Sequence, residues 1–171
     1  MTIQSGTALI TGASTGLGAV YADRLARRGH DLILVARNGA QMEELAAKLR
    51  AETGVAVDVI AADLTKSDDV TRIEQRLIDD AAITLFVNNA GMSLNGGTLE
   101  NSAAEIETII ALNITAAARL AIASFQAPAT GNRSGSIVLE RRRNAGAPPV
   151  LETYDVSRDA SGWRVVEPYL P

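Results

Sequence analysis

The chain has 171 residues with a formal net charge of −4, 47% hydrophobic and 21% charged residues, no cysteine and one histidine. That length suits one domain with a sizeable core, and the acidic balance argues against nucleic acid or an anionic membrane as main partner. Disulfides, thiolate nucleophiles and zinc–sulfur sites are excluded, and with His30 alone neither a multi-histidine metal site nor a serine–histidine–aspartate triad can be built.

In chain order, Thr7-Ala8-Leu9-Ile10-Thr11 is a short apolar run ending in a glycine-rich turn, which predicts a first strand. Leu17, Val20, Tyr21 and Leu25 recur at helical spacing, which predicts a helix over 17–28 stopped by Gly29. Leu32 to Ala36 is apolar at every position, as in a parallel strand covered on both faces. A helix with Met42, Leu45 and Leu49 on one side follows over 41–52, then a third strand over 55–61. Ser67 is the expected N-cap of a helix over 68–79. Ile83 to Val87 is the fourth strand, Ala103 to Phe125 a longer helix, and Ser136 to Leu139 a fifth strand.

Strands separated by helix-length segments predict βαβ units. The expected fold is therefore α/β, a doubly wound parallel sheet of five strands with helices on both faces. After Leu139 the pattern breaks. Glu140-Arg141-Arg142-Arg143 places charges where a strand end should meet a core, and Pro148-Pro149 follows. Residues 1–139 are thus expected as one domain, and 140–171 as a divergent, poorly ordered tail. No apolar run reaches the roughly 18 residues of a membrane span, and Met1-Thr2-Ile3-Gln4 lacks the basic and apolar regions of a signal peptide. A soluble, cytoplasmic protein without a membrane partner is expected.

The strongest chemical signal is the turn between the first strand and first helix, Thr11-Gly12-Ala13-Ser14-Thr15-Gly16-Leu17-Gly18. Gly12 lets the chain turn sharply, Gly16 lets backbone amides approach a pyrophosphate, and Gly18 permits close helix–sheet packing. The helix N-terminus behind it offers unpaired amides and a positive dipole end to an anion. A tight turn without a ligand would use the same glycines. No lysine follows them, so the turn is not a Walker loop.

Three further segments occur in order. Asp63-Leu64 follows the third strand, Asn88-Asn89-Ala90-Gly91 ends the fourth, and Asn113 lies in the long helix within Leu112-Asn113-Ile114-Thr115. Singly these are a turn cap, a strand-ending turn and a polar residue on a helix surface. Together with the TGxxxGxG turn they resemble the short-chain dehydrogenase/reductase family, in its branch of single-domain enzymes, over residues 5–139, which implies a Rossmann-type NAD(P)-binding domain over 1–139, truncated on its C-terminal side. The resemblance implies a dinucleotide site formed by Gly12, Ser14, Thr15, Gly16, Leu17, Gly18, Arg37, Asp63, Leu64, Asn89, Ala90 and Gly91. Within it Asp63 would contact the adenine, the Asn-Asn-Ala-Gly segment would line the cleft, and Asn113 would support a proton-relay water.

Cofactor choice is read at the end of the second strand, where NAD enzymes usually carry a carboxylate for the ribose 2′-hydroxyl. Here the residues are Ala36-Arg37-Asn38, and Arg37 suits a 2′-phosphate. NADP(H) is therefore expected over NAD(H), although the second basic position of many NADP enzymes is occupied by Thr15. Tyr154-Asp155-Val156-Ser157-Arg158 resembles the family's YxxSK motif with arginine in place of lysine. By resemblance Tyr154 would move the alcohol proton and Arg158 would supply the cation that a phenol, ordinarily near pKa ~10, needs at neutral pH. The family's serine position falls within Arg141-Arg142-Arg143. Two readings follow: an NAD(P)-dependent oxidoreductase moving hydride between nicotinamide and a small carbonyl or secondary alcohol, or a non-catalytic or defective dinucleotide-binding fragment. The family's long helices commonly pair between subunits, which implies a homodimer or tetramer.

Overall fold

The computed structural model describes residues 6–94, 101–126, 133–141, 150–159 and 162–168, the last three stretches as backbone. The chain divides into two compact units, Met1–Pro128 and Ala129–Pro171.

The first unit alternates strand and helix: β1 (Thr7–Thr11), α1 (Gly16–Ala26), β2 (Asp31–Ala36), α2 (Gly39–Thr53), β3 (Val57–Ala61), α3 (Ser67–Asp79) and β4 (Ile83–Val87). A last helical stretch runs through α4 (Ala103–Ile110), a π-helical turn (Ala111–Ala116) and α5 (Ala117–Gln126). The four strands form one parallel sheet in the order β3-β2-β1-β4. Alternation along the strands sends side chains to two cores. Ala8, Ile10, Leu32 and Leu34 pack with Ala22 and Leu25 of α1 and Met42 and Leu49 of α2. Leu9, Ile33 and Val35 pack on the other face with Val70, Ile73 and Leu77 of α3 and Ala116, Leu120 and Ala123 of the last helix. Each such fully buried aliphatic side chain contributes about 1.5–3 kcal/mol. This is the doubly wound arrangement that the apolar runs predict, with β1 in the interior of the sheet.

Helix ends follow local chemistry. The Asn38 side chain accepts from the Gln41 amide (3.2 Å) to start α2, and Gly54, at φ 74°, ends it. Ser102 and Glu105 make a capping box at α4. The expected cap at Ser67 is corrected: Ser67 is the first residue of α3 and Lys66 occupies the N-cap without a side-chain bond, while the Ser67 hydroxyl accepts from Arg119 (3.0 Å).

In the second unit, β5 (Arg133–Arg141), β6 (Val150–Asp159) and β7 (Gly162–Pro168) form an antiparallel sheet in the order β5-β6-β7. This corrects the expected fifth parallel strand: Ser136–Leu139 lies in β5 and pairs antiparallel with β6. Within the segment expected as a tail, 150–159 and 162–168 are strands. The links 142–149 and 160–161 are hairpin length, and a parallel return needs a dozen residues or more. The Arg142-Arg143 and Pro148-Pro149 positions lie outside the described residues.

The stretch Ala103–Gln126 bears on the expectation that no segment reaches the length and apolarity of a membrane span. Among the described residues it is one helix long and apolar enough to cross a membrane, with a mean hydropathy of 1.6 over its most apolar 18 residues. Asn113, Thr115 and Arg119 interrupt the apolar run in sequence, and the average over 18 residues stays high despite them. Its Ala116, Leu120 and Ala123 pack on the sheet, while Ile110, Ile114, Ile122 and Phe125 are exposed.

Candidate cofactor site

The strand order places the site before any side chain is considered. From β1 the chain moves outward through β2 and β3, then returns to the other side of β1 as β4. The connections leaving β1 and β4 at their C-terminal ends thus diverge and open a crevice, the usual ligand position in an open parallel sheet.

Thr11 closes the floor of that crevice. Among the described residues it is the buried polar side chain, with no exposed surface. Its Oγ1 accepts from the amides of Asn89 and Ala90, each at 3.0 Å, and donates toward the Val87 carbonyl (3.4 Å). The Asn89 side chain returns the link, its Nδ2 donating to the carbonyls of Thr11 (3.0 Å) and Gly12 (3.4 Å). The glycine turn and the Asn-Asn-Ala-Gly segment are therefore one hydrogen-bonded body.

The glycines fit it tightly. Gly12, at φ 68°, has the Ala90 Cα and Asn89 Nδ2 only 2.9 Å from where a Cβ would sit. A Cβ on Gly18 would lie 2.1 Å from the Gly12 carbonyl oxygen. Gly16 differs: at φ 57°, its Cβ position has nothing within 4 Å and faces open space. Thr15 precedes α1 without a side-chain cap, so the first amides of that helix present their donors to the crevice. A cradle of open glycine backbone at an uncapped helix N-terminus fits a pyrophosphate.

The rim is polar. Asp63 Oδ1 accepts from the Thr65 hydroxyl (2.7 Å) and amide (3.1 Å), and its own amide donates to Asp69 (2.7 Å). The Thr65 hydroxyl, then its amide and the positive charges of Arg37 and Lys66, hold the Asp63 carboxyl below its ordinary pKa against a smaller opposing effect of burial. Arg37 is exposed at the end of β2. The Leu64 side chain is buried in the second core, so this residue can meet a ligand only through its backbone. Leu17 is 69% exposed, and Ser14 is half-buried in the turn.

Asn113 lies in the π-helical turn, its Nδ2 donating to the Met92 carbonyl (2.7 Å) and its Oδ1 accepting from the Met92 amide (3.0 Å). The helix thereby holds the segment that follows Gly91. Asn88 makes a second tie, Nδ2 to the Ala117 carbonyl at 2.8 Å. Thr11 and Met92 are not among the expected site residues, and their roles rest on bonds between segments far apart in sequence. Tyr154 and Arg158 lie on β6, where Tyr154 pairs with Ile137 and Arg158 with Arg133.

Residues 6–140 match the family model for short chain dehydrogenase. The chain belongs to the short-chain dehydrogenase family. It is 37% identical over 116 residues to the very-long-chain 3-oxoacyl-CoA reductase of Lodderomyces elongisporus, covering 66% of this chain and 33% of the relative. It is 36% identical over 115 residues to human 17-beta-hydroxysteroid dehydrogenase type 3, covering 66% and 37%. Among solved structures it resembles a short-chain dehydrogenase from Sphingobium yanoikuyae in complex with NADPH (53% identity, TM-score 0.69, 70% of this chain and 47% of that one). It also resembles the bulky-bulky ketone specific alcohol dehydrogenase from Comamonas testosteroni (50% identity, TM-score 0.69, 70% and 48%). The chain spans about a third of the length of those curated relatives and just under half of those solved chains.

Proposed function

We propose that this short-chain dehydrogenase binds NADP(H) in preference to NAD(H) and serves hydride transfer between the nicotinamide and a carbonyl or secondary alcohol. The carrying observation is the cradle: open glycine backbone at the uncapped N-terminus of α1, locked through Thr11 to Asn89 and Ala90. Gly12, Gly16 and Gly18 would receive the pyrophosphate, Asp63 the adenine, and Asn89, Ala90 and Gly91 the nicotinamide-side wall. When bound, the cofactor supplies the hydride, and these residues hold and orient it. Ketone chemistry is supported by the named activities of the relatives, which include a 3-oxoacyl-CoA reductase, a hydroxysteroid dehydrogenase and a ketone-specific alcohol dehydrogenase.

The preference for NADP(H) rests on Arg37, an exposed cation at the end of β2 where a carboxylate would favour NAD(H), and is supported by the NADPH-bound relative. Arg37→Asp is expected to weaken NADPH binding about 100-fold, the loss of a charge-assisted contact plus a new repulsion. NADH affinity should change by less than about threefold, because no 2′-phosphate is involved. Titration of both cofactors by fluorescence checks this. Equal losses would make Arg37 a general surface charge.

One observation favours a second reading, cofactor binding without turnover. On a strand, residues four apart are separated by about 13 Å, whereas one helical turn brings them within about 6 Å. Tyr154 and Arg158 lie on β6, so their backbone positions are a four-residue strand span apart and not one helical turn. An assay with a small ketone panel separates the readings. NADPH oxidation abolished by Tyr154→Phe supports the first, and NADPH binding with background reduction supports the second.

We also propose that a second copy of the chain covers the exposed apolar face of the last helix. Ile114 is 62% exposed and Ile122 57%, a face that a two-fold helix pair would bury. Light scattering at concentrations on the order of tens of micromolar should show a dimer or larger assembly, and Ile114→Glu should shift it toward monomer. A monomeric wild type excludes this arrangement.

A further inference from the structure

We propose that Arg119 is a positioning residue: it locks the π-helical turn in the register that lets Asn113 hold the wall of the cofactor crevice. This rests on the reading of the crevice as a dinucleotide site. Arg119 lies on α5, three residues past the turn, and grips α3 with its whole guanidinium. Nε and one terminal nitrogen donate to the two carboxylate oxygens of Glu74 at 2.8 and 2.6 Å. The remaining contacts are to the hydroxyls of Ser67 (3.0 Å) and Thr71 (2.9 Å). The fork geometry fixes both the rotation and the height of α5 against α3.

The turn needs such a lock. A π-helical turn is a rare insertion within an α-helix, often found at functional sites. Relaxing Ala111–Ala116 to α-helical bonding shifts register by one residue, which rotates one side of the turn about 100° relative to the other. If α5 is held, Asn113 stays on Met92. If α5 is released, the turn can relax from either end, so that Asn113 turns away from Met92 or the Ala117 carbonyl leaves Asn88. The upstream part of the turn is thus fastened to the crevice wall at Met92, and the downstream end both to that wall through Asn88 and to α3 through Arg119. Core packing by Ala116, Leu120 and Ala123 also opposes rotation of α5, and the Arg119–Glu74 fork adds a directional contact to it.

Hydrogen exchange of the Met92 amide reads the positioning directly and needs no cofactor. Arg119→Met, which keeps the aliphatic stem, and Glu74→Gln, which keeps the shape of the partner, should each speed that exchange about tenfold relative to the amides of β2. Arg119→Lys, which retains a cation opposite Glu74, should recover part of the protection. In parallel, NADPH affinity should fall several-fold in the Met and Gln variants. Met92 exchange that is unchanged, or that rises only in step with β2, overturns the proposal and leaves Arg119 as a simple stability clamp. If the wild type fails to bind NADPH while Met92 responds as expected, the positioning role stands and the cofactor reading falls. If the wild type binds NADPH and the variants bind it equally well, the link from Arg119 to the crevice is refuted.

Discussion

Gly18→Ala is expected to cost about 3 kcal/mol of stability, a fall of roughly 10 °C in melting temperature for a chain of this size, and to abolish cofactor binding. The added methyl would sit 2.1 Å from the Gly12 carbonyl oxygen and 2.8 Å from Asn89 Nδ2. Neither neighbour is the free end of a flexible chain: one is backbone, and the other is tied to the Thr11 and Gly12 carbonyls. Relief therefore requires α1 to move off the sheet or the Asn89 link to break, and both open the floor of the crevice. Gly16→Ala provides the contrast. No atom lies within 4 Å of its Cβ position, so the fold should lose only the roughly 1–2 kcal/mol of left-handed backbone, while the methyl fills the cradle and weakens NADPH binding. Thermal unfolding with NADPH titration separates the two. Equal stability losses would mean that packing does not distinguish these glycines.

Thr11→Val should be comparably damaging although it conserves volume. The amides of Asn89 and Ala90 both end on the Thr11 hydroxyl, and each buried donor left without an acceptor costs about 1–3 kcal/mol. A total near 3 kcal/mol is expected, since the Asn89 side chain keeps its own bonds to the turn and limits the damage. Thr11→Ser keeps the acceptor and should lose only about 1 kcal/mol for the missing methyl. Denaturant unfolding of the pair is the measurement. A valine variant as stable as the serine variant would show that the two amides find another acceptor.

How legible this was varied with the range of the interactions. Leu32 to Ala36, apolar throughout, and the alternating strands and helices specify a parallel sheet because burial on two faces leaves a local pattern. The glycine turn is also local, so Gly12, Gly16 and Gly18 could be assigned from spacing. Strand partners are not local. Ser136 to Leu139 is equally compatible with a parallel and an antiparallel neighbour, and only the short links on either side of β6 select the antiparallel sheet. Ser67 looked like a cap because cap preference is a local statistic, yet its hydroxyl is bound by Arg119 from 52 positions away. Thr11 drew no role for the same reason: nothing in a strand-ending threonine announces which amides it will serve.

Thr11 and Asn89 are 78 positions apart, and this separation sets an order of events during synthesis. Closing so long a loop carries an entropic cost that only the completed neighbouring strands can offset. A ribosome that has released β1, α1 and β2 has exposed every glycine of the turn, but the crevice still lacks its floor. NADPH should therefore ignore nascent chains arrested before β4 has emerged and engage those in which residues 88–90 are free of the exit tunnel. The cofactor would then act as a clock for translation, reporting the moment at which the fourth strand enters the sheet.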